Sequence, residues 1–490
     1  MSPFRQLGRA LAVCSALAVF ICGLGEASGQ PFTVQGPGVN SNDFRVTVFA
    51  TGLTNPLAMA RLSDDSLLVT VSEGANFFTA SGRLLRLTDT NLNGVADGPG
   101  AVMYSGLSAT PTAVCAAGKL VLTMSNGKPI TVLRTGATPS SPLSLVGQLG
   151  FTYPPFWSHL NSGLAVRKTT GFTNRFDVMF QVGSESNFSA TARSVVMTNS
   201  NISGASGTLA GEALHQITLI DDGVSVSATN LVQIASGLRN PSGVTFHPAT
   251  GDLYFVDNGI DGLTNVGEAY SADELNYIAR TNLGGPVEFF GYPSNYVAYR
   301  AGTVVGGAGV APLMVFQPIP DPYTGAESEG PNQLTWAPPG FPDSLNQGVF
   351  IGFHGVFSRG GTNNEENPLV FANPATGEYF HFIRGQQPGI GHFDGLLATR
   401  GSLFVSDLGT NGDASFGAGR GVIYQIKSLV TPTRPSLTVS REGGQVKLTW
   451  DRGTLQEADK PTGVWSDVVD AFSPLLVEAT AARKFYRTKY

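Results

Sequence analysis

Residues 237–278 read GLRNPSGVTFHPATGDLYFVDNGIDGLTNVGEAYSADELNYI, and this stretch decides the fold. Val244-Thr245-Phe246 and Leu253-Tyr254-Phe255-Val256 are two β-rich apolar runs. His247 to Gly251, between them, carry turn chemistry, so the pair predicts a hairpin. The start of one strand and the end of the next share one end of a hairpin. Arg239-Asn240-Pro241 and Asp257-Asn258-Gly259 therefore meet at one rim. A guanidinium, amides, a carboxylate and a Gly-permitted turn together suit an anionic ligand and a hard cation.

Outward from this unit, the same theme recurs. Copies run from Gly52 to Ser72, Gly106 to Ser125, His159 to Gly183, Asn332 to Gly352 and Gly391 to Asp407. With Gly237 to Asp257 they make six, which predicts an all-β, six-bladed propeller over 31–427. Roughly 65 residues per blade implies sizeable loops on one face. A two-sheet sandwich is the rival, but six such units exceed one.

Composition agrees. The chain has 490 residues, 61 Gly and 30 Pro, and 13% are charged. That profile suits a large β protein with an ample core. The net charge of −6 offers no basic footprint, so no nucleic-acid partner is expected. Arg5 and Arg9 precede an apolar run from Ala10 to Leu24, then small residues, which reads as a signal peptide over 1–30. The expected location is secreted or periplasmic, with no transmembrane span after cleavage. Cys115 is the sole cysteine beyond that leader and reads as a small buried hydrophobe. Residues 428–434 read as a Pro/Thr linker. Alternating runs in 435–490 predict a small β-sandwich module, with Trp450 and Trp465 as packing residues.

The ordered series G-x-R-N-P-x-G, a strand ending at N-G, and D-E-L-N resembles the soluble pyrroloquinoline-quinone sugar dehydrogenases. The glucose/sorbosone dehydrogenase-like branch is the nearest. The resemblance implies an oxidoreductase that moves hydride from an aldose, or a related hydroxy or aldehyde compound, to the quinone. An external acceptor then takes the electrons. It assigns His159, at the head of the third copy, as the general base. An imidazole suits that task at neutral pH. Arg239 and Asn240 match the family's cofactor-holding pair. The alternative for Arg239 is an ion pair with a loop acid. Gly259 and Ile260 match the carbonyls that hold Ca²⁺ beneath the cofactor.

The later blades depart from the glucose-oxidising pattern. His354 and His392, with Arg359 nearby, stand where that pattern has Lys and Arg on the cofactor's carboxylates. The H-G-x-x-x-R run resembles the sorbosone-type branch, and Asp394 is expected to repel a tricarboxylate unless a metal or an arginine intervenes. Separately, Asp89, Asn91, Asn93, Val95 and Asp97 place oxygens around a Gly turn, a pattern for a structural Ca²⁺ or for a metal-free Asn/Gly turn. Two other functions stay open: a non-catalytic propeller that binds carbohydrate or protein, and a metal-dependent lactonase.

Overall fold

The computed structural model describes residues 30–73, 81–109, 111–263, 265, 267–356, 359, 365–410, 418–468, 471–478 and 483–489. Apart from Gln30, the expected leader lies outside the described residues. No helix among them is long and apolar enough to cross a membrane.

Six sheets, each built on four antiparallel strands, surround one axis. Their innermost strands are Met59–Arg61, Pro111–Ala117, Leu164–Lys168, Asn240–Phe246, Pro331–Trp336 and Phe393–Ala398. Each touches the next, and Phe393–Ala398 touches Met59–Arg61, so the ring closes. We number the blades 1 to 6 in that order. The six-bladed propeller expected from the repeats is borne out, and all six sequence copies fall on blades.

The second strand of each blade explains why the repeats were visible. Leu67–Ser72, Leu120–Ser125 and Ser402–Asp407 are buried at every position. A strand covered by a neighbouring blade on both faces reads as a continuous apolar run. Glycines let the inner strands crowd the axis. A Cβ on Gly395 would sit 1.4 Å from the Leu57 carbonyl, and one on Gly163 would sit 1.9 Å from that of Ser242.

Blade 6 is closed by the other end of the chain. Its inner three strands come from 393–428, but its outermost is Phe44–Leu53, paired in antiparallel register with Gly421–Ser428. Phe44 is buried, with its ring 5.2 Å from Phe341 and 5.8 Å from Phe382.

Beyond the propeller, Leu437–Glu442, Gln445–Trp450 and Leu475–Val477 form one sheet. Ser466–Asp467, Thr454–Ala458 and Phe485–Lys489 form another. Leu448, Trp450 and Leu455 are buried with Ala249 from the blade 4 hairpin loop. Ser473 N–H donates to the Ala249 carbonyl at 2.8 Å, and Arg280 lies over the Phe472 ring at 5.1 Å. The small sandwich thus rests on the lower face, where the first strands end. Trp450 packs in its core, whereas Trp465 is half-buried beneath the Arg487 guanidinium at 4.3 Å.

Candidate active site at the upper rim

The inner strands all begin at the upper face, and the second strands return to it. His159 precedes the inner strand of blade 3, and Arg239 precedes that of blade 4. The residues at the end of blade 3's second strand bring them together. His159 N–H donates to the Ser184 carbonyl at 3.1 Å, and Ser184 N–H donates to the Arg239 carbonyl at 2.7 Å. Gly183 permits this convergence. A Cβ there would lie 2.6 Å from His159 Cβ and 2.9 Å from the Arg239 carbonyl.

The hydrogen bonds assign the imidazole tautomer. Ser184 Oγ–H donates to the Ser186 carbonyl at 2.6 Å. The same oxygen lies 2.7 Å from His159 Nδ1, so it accepts the Nδ1 proton. Nε2 then carries the lone pair. Burial, with the Arg239 charge beside it, pushes the His159 pKa down to about 3. The ring is a neutral proton acceptor at pH 7.

Arg239 is buried, and its backbone is clamped. Asp257 accepts Arg239 N–H at 2.9 Å and Asn240 N–H at 2.7 Å. Burial pushes Asp257 up to about 7. Asp407 repeats the clamp in blade 6, accepting Gly391 N–H and His392 N–H. The Arg239 guanidinium donates to Asn187 Oδ1 at 2.7 Å and to Asp261 at 2.5 Å. An ion pair with a loop acid is therefore present. That acid is 75% exposed, while the Arg239 side chain is 4% exposed. A buried cation faces a solvated, displaceable carboxylate, and this fits an anionic ligand arriving from the well.

Fit to the rest of the expected cofactor set is uneven. The Ile260 carbonyl accepts Tyr270 N–H at 2.8 Å and Ser271 N–H at 3.2 Å. Both bonds fall on the carbonyl expected to serve as a metal ligand. Gly259 stands at the same turn, with its N–H on Asp273 at 2.6 Å. His392 is fully buried, and its Nδ1 lies 2.6 Å from the His354 carbonyl. It buttresses blade 5 through that carbonyl, at the position expected to contact the cofactor. His354 Nδ1 lies 3.5 Å from buried Asp394. Burial pulls the His354 pKa down, but the Asp394 hydrogen bond and charge outweigh it and leave it raised. Asp394 also accepts Asn332 Nδ2 at 2.7 Å. It is a partner of His354 inside the wall, not the expected repelling charge in the well. Arg359 is exposed, and its N–H donates to the Val356 carbonyl.

Motif reading missed an aromatic group on the same rim. The Phe188, Tyr270 and Tyr296 rings lie 5.5 to 5.9 Å apart, and the first two are each 38% exposed. Phe188 follows Asn187, the partner of Arg239. The cue was the exposed aromatic after a polar strand end, too common a signal to stand out alone.

The Asp89 to Asp97 loop lies at the opposite face, between Gly82–Leu87 and Ala101–Leu107. Asp89 accepts the Asn93 and Gly94 amides, Asn91 accepts Asn93 N–H, and Asn93 accepts Val95 N–H. Asp97 accepts Thr90 N–H at 3.0 Å. No group of three or more His, Cys, Asp or Glu side chains poised for a metal occurs among the described residues. Cys115 donates to the Leu164 carbonyl, and burial pushes its thiol up to about 12, so it stays protonated.

With this geometry in view, relatives can be weighed. Residues 163–319 match the family model described as TrAA12-like, from the blade 3 inner strand through blade 4. This stretch is TrAA12-like. The match covers the Arg239 to Ile260 rim and bears out the resemblance drawn from the motifs. Two solved structures of the Trichoderma reesei carbohydrate-active enzyme of family AA12 share the propeller. The iodide form is 17% identical over 82% of this chain and 98% of its own, with a TM-score of 0.52. The calcium form has the same identity and coverage, with a TM-score of 0.51. A curated relative, an uncharacterized protein of Borreliella burgdorferi, is 39% identical over 69 residues. That match spans 14% of this chain and 17% of the relative.

Proposed function

We propose that the chain is an exported oxidoreductase that oxidises an aldose, or a related hydroxy or aldehyde compound, with pyrroloquinoline quinone as the bound acceptor. The observation that carries this reading is the pairing of His159 and Arg239 at one rim. His159 Nε2 takes the substrate's hydroxyl proton. Arg239 releases Asp261 and holds the anionic oxygens of the cofactor, and Asn240 sits beside it on the same clamp. Phe188, Tyr270 and Tyr296 offer ring faces to a sugar at the mouth. The quinone supplies the two-electron acceptor, and an external acceptor regenerates it.

The same proposal includes Ca²⁺ with the Gly259 carbonyl as a ligand, and a structural Ca²⁺ in the Asp89 to Asp97 loop, with the Val95 carbonyl beside the side-chain oxygens. It assigns the chemistry to the propeller over 31–427 and an accessory role to 435–490. Secretion or periplasmic placement rests on the apolar segment at 1–30.

Reconstitution with quinone and Ca²⁺, read by absorbance and by dye reduction over a sugar panel, tests the reading. Quinone uptake and sugar-dependent reduction, both lost in Arg239→Ala, are expected. No uptake by the wild-type chain overturns it. The buried His392, at a position expected to carry a cation for the cofactor, favours a second reading, a propeller that binds carbohydrate or protein without turnover. Glycan binding without quinone uptake is its signature.

A further inference from the structure

A cleft of about 550 Å³ lies where blades 4 and 5 meet the C-terminal sandwich, on the face away from His159. Small-molecule sites span about 300–1,000 Å³. One wall is an aromatic ladder. Tyr277 is 40% exposed and stacks on Tyr254, with centroids 5.6 Å apart and planes at 28°. Tyr254 abuts Trp336 at 4.9 Å, and Trp336 abuts His247 at 4.1 Å. The facing wall comes from the sandwich, through Asp451 and Thr454. Gln347 and Thr454 are exposed polar side chains at the rim.

Charge selects the ligand class. Arg452 donates to Asn346 Oδ1 at 3.1 Å, to the Thr433 carbonyl at 2.8 Å and to Asp451 at 3.3 Å. Its charge is matched within the wall. His247 Nδ1 accepts the Ala249 and Thr250 amides at 3.1 and 3.0 Å. Burial pushes its pKa down to about 4, so the ring is neutral at pH 7. Such a cleft gives little to a phosphate or a carboxylate. The exposed face of Tyr277, backed by Tyr254, with amide and hydroxyl groups at the rim, suits a neutral polyhydroxylated ring. Its C–H face packs on tyrosine, and its hydroxyls reach Gln347 and Thr454.

We propose that this cleft binds pyranose residues of a neutral oligosaccharide, as a second sugar site remote from the axial rim. The sandwich then completes a binding site with the propeller and is more than an appended domain. The proposal does not rest on the oxidoreductase reading, because binding is scored without turnover.

The test is calorimetric titration of the full chain with cellohexaose, xylohexaose, mannohexaose and maltohexaose, each reduced at its end so that it cannot be oxidised as an aldose. Saturable heat with at least one is expected, weakened tenfold or more in Tyr277→Ala. Gln347→Trp, which fills the mouth from an exposed position, abolishes it at an unchanged Tm. Absence of saturable heat with all four sugars overturns the proposal. So does wild-type affinity in both variants. Loss of binding in Phe188→Ala with Tyr277→Ala unaffected moves the site to the upper rim and also overturns it.

Discussion

His159 combines two properties that oppose each other in a free imidazole. It is aimed as a base, yet burial and the Arg239 charge make it a weak one. The sign follows directly. Its pKa is lowered, so the neutral form persists below pH 6.5. The kcat/KM profile of the reconstituted chain should hold its plateau to at least pH 5, whereas an unperturbed histidine would lose it near 6.5. Arg239→Gln removes a nearby positive charge, so the His159 pKa, followed by NMR titration of the imidazole, should move up. A His159 titration that does not move with Arg239→Gln would separate the two residues. His159 and Arg239 were legible from motifs because each heads an inner strand. Ser184 and Asn187, which aim them, lie in the V-G-S-E-S-N run at 182–187 without distinctive chemistry. The turned carbonyl of Ile260 and the wall-facing ring of His392 follow from backbone geometry that residue identity does not encode.

At the scale of elements, the propeller was legible because its second strands are apolar from end to end. The closing strand was not assigned to a blade. Phe44–Leu53 alternates buried and exposed positions and has no turn joining it to a partner nearby. Its partner is Gly421–Ser428, at the other end of the propeller. Phe44→Ala should cost about 3–5 kcal/mol, as for other buried aromatic truncations, measured by denaturant unfolding. Arg45, half-buried in the same strand, should tolerate alanine far better. Gly395→Ala drives a methyl into the Leu57 carbonyl, so its cost should reach or exceed the upper end of about 1–3 kcal/mol. A Gly395→Ala chain as stable as wild type would contradict the tight ring.

For the whole molecule, buried titratable groups set an unusual dependence on pH. Burial raises Asp257 and Asp407 to about 7, Asp273 to about 6, and Glu274 and Glu329 to about 8. Their folded forms bind protons that the unfolded chain has released, so stability falls as pH rises toward those values. Burial lowers His215, His247 and His381 to about 4, which acts oppositely, but only below about 6.5. Between pH 6.5 and 8 the acids and His354, whose pKa is raised by Asp394, act in the same direction. Tm, followed by differential scanning fluorimetry, should fall across that window. A flat or rising Tm there would show that the acids ionise without strain. Composition hinted at none of this, because a net charge of −6 does not say which carboxylates are inside.

The closing strand also fixes when the molecule can become whole. Phe44–Leu53 leaves the ribosome early, and its hydrogen-bonding edge stays unmatched until Gly421–Ser428 has been made. Throughout that interval the nascent chain carries an open ribbon edge at its front, ready to pair with any other. Such a protein depends on synthesis and folding outpacing association with its sisters. Moving the chain ends to the lower-face loop at Gly377, so that Phe44–Leu53 follows Gly421–Ser428 with only the C-terminal sandwich between them, would shorten the wait and spare more of the product from aggregation.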